Sequence, residues 1–279
     1  MMLRVATVIG TLLVGAPVAA QQPPASVPLV VSTSWLAEHL RDADVVVLQT
    51  SQAPAAAQQI PGARVLPHAL LMTMGATHDL APAPTLVRAL EDAGVSNRSH
   101  VVIYGEALAS GWLFFALDYL GHERVSLLDG GLDTWIAERR PVARVAGTPV
   151  RGRFQPSPRP DVKASADSVQ GRVPNAVAVV DARSEQEFVA GHIPGAQRLT
   201  WQSVYADPTR QVFKSPAEVA TLFAAAGASS GKTAITYCQI GLRSSLLYFA
   251  ARYAGLNASN YVGSWSDWSA KGLPTASGP

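Results

Sequence analysis

Apolar residues along this chain fall into short continuous runs, separated by longer stretches in which they recur every three or four positions. The runs, at residues 45–48, 101–104, 125–128, 177–180 and 233–237, have strand length and show no polar alternation, the pattern of strands buried in a parallel sheet. Helical spacing predicts helices over residues 32–40, with Ser32 or Ser34 as N-cap, and over 85–93, 112–120, 132–138, 217–226 and 246–253. Gly94, Gly121, Gly227 and Gly255 stand where C-capping glycines belong, and residues 59–63 and 191–196 read as turns. Strands alternating with helices predict an α/β fold, a mainly parallel sheet flanked by helices on both faces.

This order occurs twice. Ile60 and Ile193, Tyr104 and Tyr237, Gly130 and Gly263, and Trp135 and Trp268 are each separated by roughly 133 positions, a domain-sized interval that marks an internal duplication. The chain therefore divides into a first copy over residues 27–145, a proline-rich linker over 146–163 and a second copy over 164–279. Pro149, Pro156, Pro158 and Pro160 stiffen the linker.

With 279 residues, 48% of them hydrophobic, the chain has enough apolar material for two packed cores. A net charge of +2, without a basic stripe carrying interleaved aromatics, argues against nucleic acid as a partner. Arg4, an apolar stretch through Ala16, and the small residues Val18 and Ala20 make residues 1–20 an expected secretory signal peptide, cut after Ala20. That stretch is shorter than the ~20 residues a membrane span needs, and no later stretch is long and apolar enough. The mature chain is expected to be exported, periplasmic if its source is a Gram-negative bacterium, with no stable membrane association.

The sequence holds one cysteine, Cys238. This excludes an intramolecular disulfide framework, and a lone cysteine without clustered histidines offers no metal site of ligand spacing, so no metal or other cofactor is expected. Cys238 stands between a predicted strand and a predicted helix, in Tyr237-Cys238-Gln239-Ile240-Gly241-Leu242-Arg243-Ser244-Ser245. Backbone N–H groups and the positive end of a helix dipole converge at such a turn and favour an anion there, a thiolate included. Gly241 lets the backbone bend, Arg243 adds a fixed positive charge able to grip an oxyanion, and Ser244 and Ser245 are placed to cap the following helix. The stretch reads as an anion-cradling loop with a sulfur nucleophile. In the first copy Tyr104 is followed by Gly105-Glu106-Ala107-Leu108-Ala109-Ser110, with neither thiol nor arginine. That copy is expected to keep the scaffold without the chemistry, catalytically inactive, and to offer one wall of a cleft between the copies.

Three more motifs frame the loop. Asp181-Ala182-Arg183 with Glu187-Phe188 ends a strand, Gly191-His192-Ile193-Pro194-Gly195-Ala196 forms a turn, and Tyr261-Val262-Gly263-Ser264-Trp265-Ser266-Asp267-Trp268 closes the second copy. Together with the cysteine loop they resemble the tandem-domain rhodaneses, the thiosulfate sulfurtransferases. Val262 departs from that family's acid and Asp267 from its Glu, while the first copy has Gln59 for the turn His and Gln49 where an Asp would end the strand. The resemblance implies two duplicated rhodanese-like domains and a double displacement. The Cys238 thiolate attacks the outer sulfur of thiosulfate, sulfite leaves, and the persulfide gives its sulfur to a thiophilic acceptor such as cyanide or a thiol. N–H groups of Gln239, Ile240, Gly241, Leu242, Arg243 and Ser244 would then hold the sulfur's charge, with Arg243 gripping the sulfonate oxygens bidentately. Asp181, Arg183 and Glu187 are expected to form an ion-pair network that fixes the loop, and His192 to make a structural hydrogen bond. Trp201, Trp265 and Trp268 are read as core aromatics.

Other readings stay open. A non-enzymatic persulfide carrier or interaction module would use the same thiol. 3-Mercaptopyruvate sulfurtransferases share the implied fold but have a loop of small residues without arginine, so Arg243 points to thiosulfate. Cysteine phosphatases place their arginine six positions after the cysteine; here the interval is five, a tighter cradle that suits a sulfur atom better than a phosphate.

Overall fold

The computed structural model describes residues 27–51, 58–73, 75, 78–144 and 150–278. The expected signal peptide and residues 145–149, where the first copy was expected to meet the linker, lie outside the described residues.

Each copy is built on a five-stranded sheet whose strands all run parallel. The first copy's order is Val30–Val31, Val125–Leu128, His100–Gly105, Val45–Ser51 and Arg64–Pro67. The second copy's order is Lys163–Ala164, Asn257–Tyr261, Thr233–Tyr237, Val177–Asp181 and Gln197–Arg198, the same topology strand for strand. Asn257–Tyr261 and the outer strands were not predicted, because pieces of two to four residues carry no readable period and Asn257-Ala258-Ser259-Asn260 is largely polar. The repeat extends to single hydrogen bonds. Ile60 N–H donates to the Tyr104 hydroxyl at 3.1 Å and Ile193 N–H to the Tyr237 hydroxyl at 3.2 Å. Trp135 Nε1 donates to the Pro141 carbonyl at 2.7 Å, and Trp268 Nε1 to the Pro274 carbonyl at 2.8 Å.

Successive strand residues face opposite sides, so each sheet serves two cores. Val102 and Tyr104 face a core private to the first copy, and Ile235 and Tyr237 one private to the second. Val101, Ile103, Val180 and Ala234 instead face a single core that both copies share. At its centre lie two helices, Ala107–Tyr119 and Leu242–Tyr253. The prediction started the first of these at Trp112; it begins five residues earlier, and Gly111 is inside it. A Cβ on Gly111 would lie 2.7 Å from Leu246 Cα, so the glycine is what lets the two helices touch. Phe114 meets Phe249 edge-on at 4.8 Å between ring centroids, and Phe115 meets Tyr248 at 5.2 Å. The buried Asp118 carboxylate accepts the Tyr248 hydroxyl and pairs with Arg159 and, at 3.4 Å, with Arg252.

Smaller elements tie the copies further. In the hairpin of Tyr205–Asp207 with Val212–Phe213, Phe213 N–H donates to Asp129 Oδ1 of the first copy at 2.8 Å. The corresponding hairpin of the first copy, Met72–Thr73 with Asp79–Leu80, reaches back through Asp79 to Lys163 at 2.6 Å. The described end of the linker is strapped to the first copy, with Phe154 N–H on Glu91, Gln155 N–H on Asn97 and Ser157 N–H on the Leu120 carbonyl. Among the described residues no helix is long and apolar enough to cross a membrane.

Candidate active site

The strand Thr233–Tyr237 ends at the C-terminal edge of its parallel sheet, the edge where such sheets place ligands. Cys238, Gln239 and Ile240 turn the chain, and Gly241, at φ +93°, starts the helix as its N-cap residue. The helix therefore begins at Leu242, four residues before the predicted start. Ser244 and Ser245 do not cap it: they lie in its first turn and donate backward, Ser244 Oγ to the Gly241 carbonyl at 2.9 Å and Ser245 Oγ to the Leu242 carbonyl at 2.7 Å. With the cap position held by a glycine, no side chain competes for the N-terminal N–H groups.

Cys238 is completely buried, and its Sγ accepts the Gly241 N–H at 3.1 Å. The amides of Gln239, Ile240, Leu242, Arg243 and Ser244 have no acceptor among the described residues, and the helix carries no acid in its first turn. Their carbonyl side is anchored instead: Trp265 N–H donates to the Cys238 carbonyl at 3.0 Å and Ser266 N–H to the Gln239 carbonyl at 3.1 Å. Ser264 fixes the cysteine itself. Its Oγ accepts the Cys238 N–H at 3.1 Å and donates to the Tyr261 carbonyl at 2.8 Å, and it holds the left-handed backbone, φ 55°, that makes both bonds reachable. Sequence reasoning quoted Ser264 inside a motif and gave it no role; a serine after the Gly263 turn was the available signal.

A Cβ on Gly241 would lie 2.7 Å from the Val262 carbonyl and 3.1 Å from Trp112 Cζ3, which reaches the loop from the first copy. Gly241→Ala is expected to lower stability by about 1–2 kcal/mol, the cost of a left-handed non-glycine residue. A loop displaced by about 1 Å costs on the order of a hundredfold in turnover. A thermal melt read beside a steady-state sulfur-transfer assay checks both.

The expected ion-pair network exists as two separate pairs. Arg243 Nη1 and Nη2 donate to Glu187 Oε2 and Oε1, each at 2.7 Å. Arg243, with the Ser184 hydroxyl and N–H, holds the Glu187 carboxyl down at about 2 against its partial burial. The guanidinium is in turn held charged, first by Glu187 and, with burial opposing, by the adjacent Cys238 sulfur. The second pair is interior: Arg183 Nη2 donates to Asp181 Oδ2 and to the Gly191 carbonyl, both at 2.7 Å. Its guanidinium lies 4.8 Å from the Trp265 ring centroid and 5.6 Å from that of Tyr237. His192 has the structural bond expected of it, Nδ1 donating to the Phe188 carbonyl at 2.9 Å with the two rings stacked at 3.8 Å. Asp267, the residue that stands for Glu, still accepts the Tyr261 hydroxyl at 2.6 Å. Trp268 is core, Trp201 packs partly buried against the shared core, and Trp265 abuts Gly191 and Arg183.

In the first copy Gln49 lies in register with Tyr104 as Asp181 does with Tyr237, and its Oε1 accepts the Tyr104 hydroxyl at 3.0 Å. There the helix begins at Ala107 with Glu106 as N-cap residue, its side chain making no cap hydrogen bond.

Two parallel-sheet domains sharing one core, with a single thiol beside the amides of a strand-to-helix loop, define a tandem α/β protein with one anion-binding thiol loop. Residues 32–138 and 164–271 match the rhodanese-like domain, and the chain belongs to that family as a tandem-domain sulfurtransferase. It is 32% identical over 260 residues to the thiosulfate sulfurtransferase of Azotobacter vinelandii, covering 88% of this chain and 95% of that one. It is 30% identical over 279 residues to the sulfur carrier protein TtuD of Thermus thermophilus, covering 90% and 97%. The crystal structure of SseA from Escherichia coli, a 3-mercaptopyruvate sulfotransferase, superposes with a TM-score of 0.75 at 25% identity over 86% of this chain and all of that one.

Proposed function

We propose that this chain moves the sulfane sulfur of thiosulfate to a thiophilic acceptor through a persulfide on Cys238, the first copy taking no part in the chemistry. The observation that carries the reading is the buried Cys238 Sγ under the Gly241 N–H, beside amides without acceptors among the described residues and beside Arg243. In the first displacement the thiolate forms a bond to the outer sulfur of thiosulfate, the sulfur–sulfur bond of the donor breaks, and sulfite leaves with the electron pair. In the second, an acceptor such as cyanide attacks the outer persulfide sulfur, thiocyanate leaves, and the thiolate returns. Negative charge stays near one sulfur throughout, which fixed amides stabilise without reorganising. A thiolate needs no neighbouring base, in keeping with a His192 engaged elsewhere.

The mature chain acts outside the cytoplasm on this reading, with residues 1–20 as its export signal. Intact mass of the exported protein tests both parts: the chain is expected to begin at Gln21, to gain one sulfur atom with thiosulfate and to lose it with cyanide. No gain of sulfur overturns the donor assignment. The likeness to TtuD favours a second reading, a carrier whose persulfide is loaded by another protein, and that outcome would bring it forward. Uptake from 3-mercaptopyruvate in place of thiosulfate would bring forward the SseA-like alternative.

A further inference from the structure

We infer that Glu187 is a positioning residue for this reaction, holding the Arg243 guanidinium beside the Cys238 sulfur, so that Arg243 serves the sulfur and leaves the donor's oxygens to the loop amides. The inference rests on the sulfurtransferase reading above.

Both terminal nitrogens of Arg243 are already committed to Glu187, at 2.7 Å each. Glu187 is anchored without help from Arg243. It is the third residue of the helix Glu185–Ala190, its Oε2 accepts the Ser184 N–H at 3.0 Å and the Ser184 hydroxyl at 2.8 Å, and Ser184 Oγ accepts the Glu187 N–H in return. Ser184 directly follows Arg183, which Asp181 holds from the strand paired in register with the cysteine's own strand. A capping box and a buried ion pair thus fix the carboxylate relative to Cys238.

A donor sulfonate that took the Arg243 fork would have to pull it from that carboxylate. Among the described residues the amides of Gln239, Ile240, Leu242, Arg243 and Ser244 have no such partner to give up. Oxygens of an incoming anion therefore find free donors in the loop. Outside that fork the guanidinium keeps the Nε–H, one N–H on each terminal nitrogen and its charge beside the Cys238 sulfur, which itself helps to hold Arg243 charged. A fixed positive charge at that place favours the thiolate and the persulfide anion that replaces it.

Glu187→Gln separates anchoring from charge, since a glutamine at this position completes the same capping box while the ion pair is lost. The kcat for thiocyanate formation from thiosulfate and cyanide is expected to fall about ten- to a hundredfold, the scale of a misplaced catalytic group. The KM for thiosulfate should stay within about twofold, since the group acts on the reacting sulfur more than on donor binding. Glu187→Asp, which keeps the charge on a shorter arm, should retain more kcat than Glu187→Gln. A lower KM with unchanged kcat would show that Glu187 masks an arginine meant for the donor, and unchanged kinetics would reduce the pair to a structural one; either result overturns the inference. Sulfur uptake by the wild-type protein is measured in the same series. A wild type that takes up none fails the sulfurtransferase reading, whereas a Glu187→Gln variant that matches an active wild type fails this inference alone.

Discussion

Cys238→Ser is expected to abolish thiocyanate formation from thiosulfate and cyanide, by more than about a thousandfold, as removal of a covalent nucleophile does elsewhere. Serine is close to cysteine in size, and its Oγ can accept the same Gly241 N–H that now reaches Sγ. The cradle should survive, so the comparison isolates the sulfur. Two properties disappear with it. A hydroxyl is far less ionised than a thiol at neutral pH, and an oxygen cannot hold the transferred sulfur as a persulfide that a thiophile will strip. Since the sequence has no other cysteine, no second thiol can take over. Thermal melting within a few degrees of wild type, with no sulfur gained on intact mass, is the full expected result. Turnover that persists in Cys238→Ser would rule out the covalent mechanism.

Arg183→Ala is expected to cost about 3–5 kcal/mol, the largest loss of stability foreseen for a single side chain here, because it strands a buried carboxylate. Asp181 is 0% and Arg183 2% exposed, so water cannot take over as partner. The arginine also stacks between Trp265 and Tyr237 and closes on the Gly191 carbonyl, so packing and a backbone acceptor are lost with the charge. Asp181 sits opposite Tyr237, one residue before the nucleophile, and a carboxylate left unpaired there should shift the loop and lower turnover as well. Urea unfolding of the two proteins, compared at equal slope, measures the difference. A change below about 1 kcal/mol would mean that the pair merely breaks even against the side chains around it.

What was legible in the sequence follows from how local each cause is. Val101–Tyr104 and Thr233–Tyr237 announced buried parallel strands because their neighbours along the chain are all apolar, and Trp135 with Trp268 exposed the duplication because both copies keep the same bond to a proline carbonyl. Cys238, Gly241 and Arg243 lie within one turn, so their chemistry could be read together. The errors came where a residue answers to something distant. The helix start was placed at Trp112, yet Gly111 before it already belongs to the helix, where Leu246 approaches it from the other copy. Ser244 and Ser245 looked like caps, but the turn had already closed at Gly241. Glu187 and Arg243 are 56 residues apart, and Ser264 meets the cysteine from 26 residues away, separations at which residue spacing carries no signal.

The core held in common by the two copies governs how a duplicated gene of this kind can drift. The helix that follows the thiol loop is walled on one side by the helix of the copy without a thiol, through Gly111, Phe114, Phe115 and Asp118. Mutation can remove reactive groups from that copy without disturbing this wall, since none of the four contacts depends on them. Deletion of the copy is a different matter, because it would open the helix after the thiol loop to water along the face that Gly111, Phe114 and Phe115 now cover. The first half can therefore do without reactive groups of its own, whereas its architecture is needed by the second.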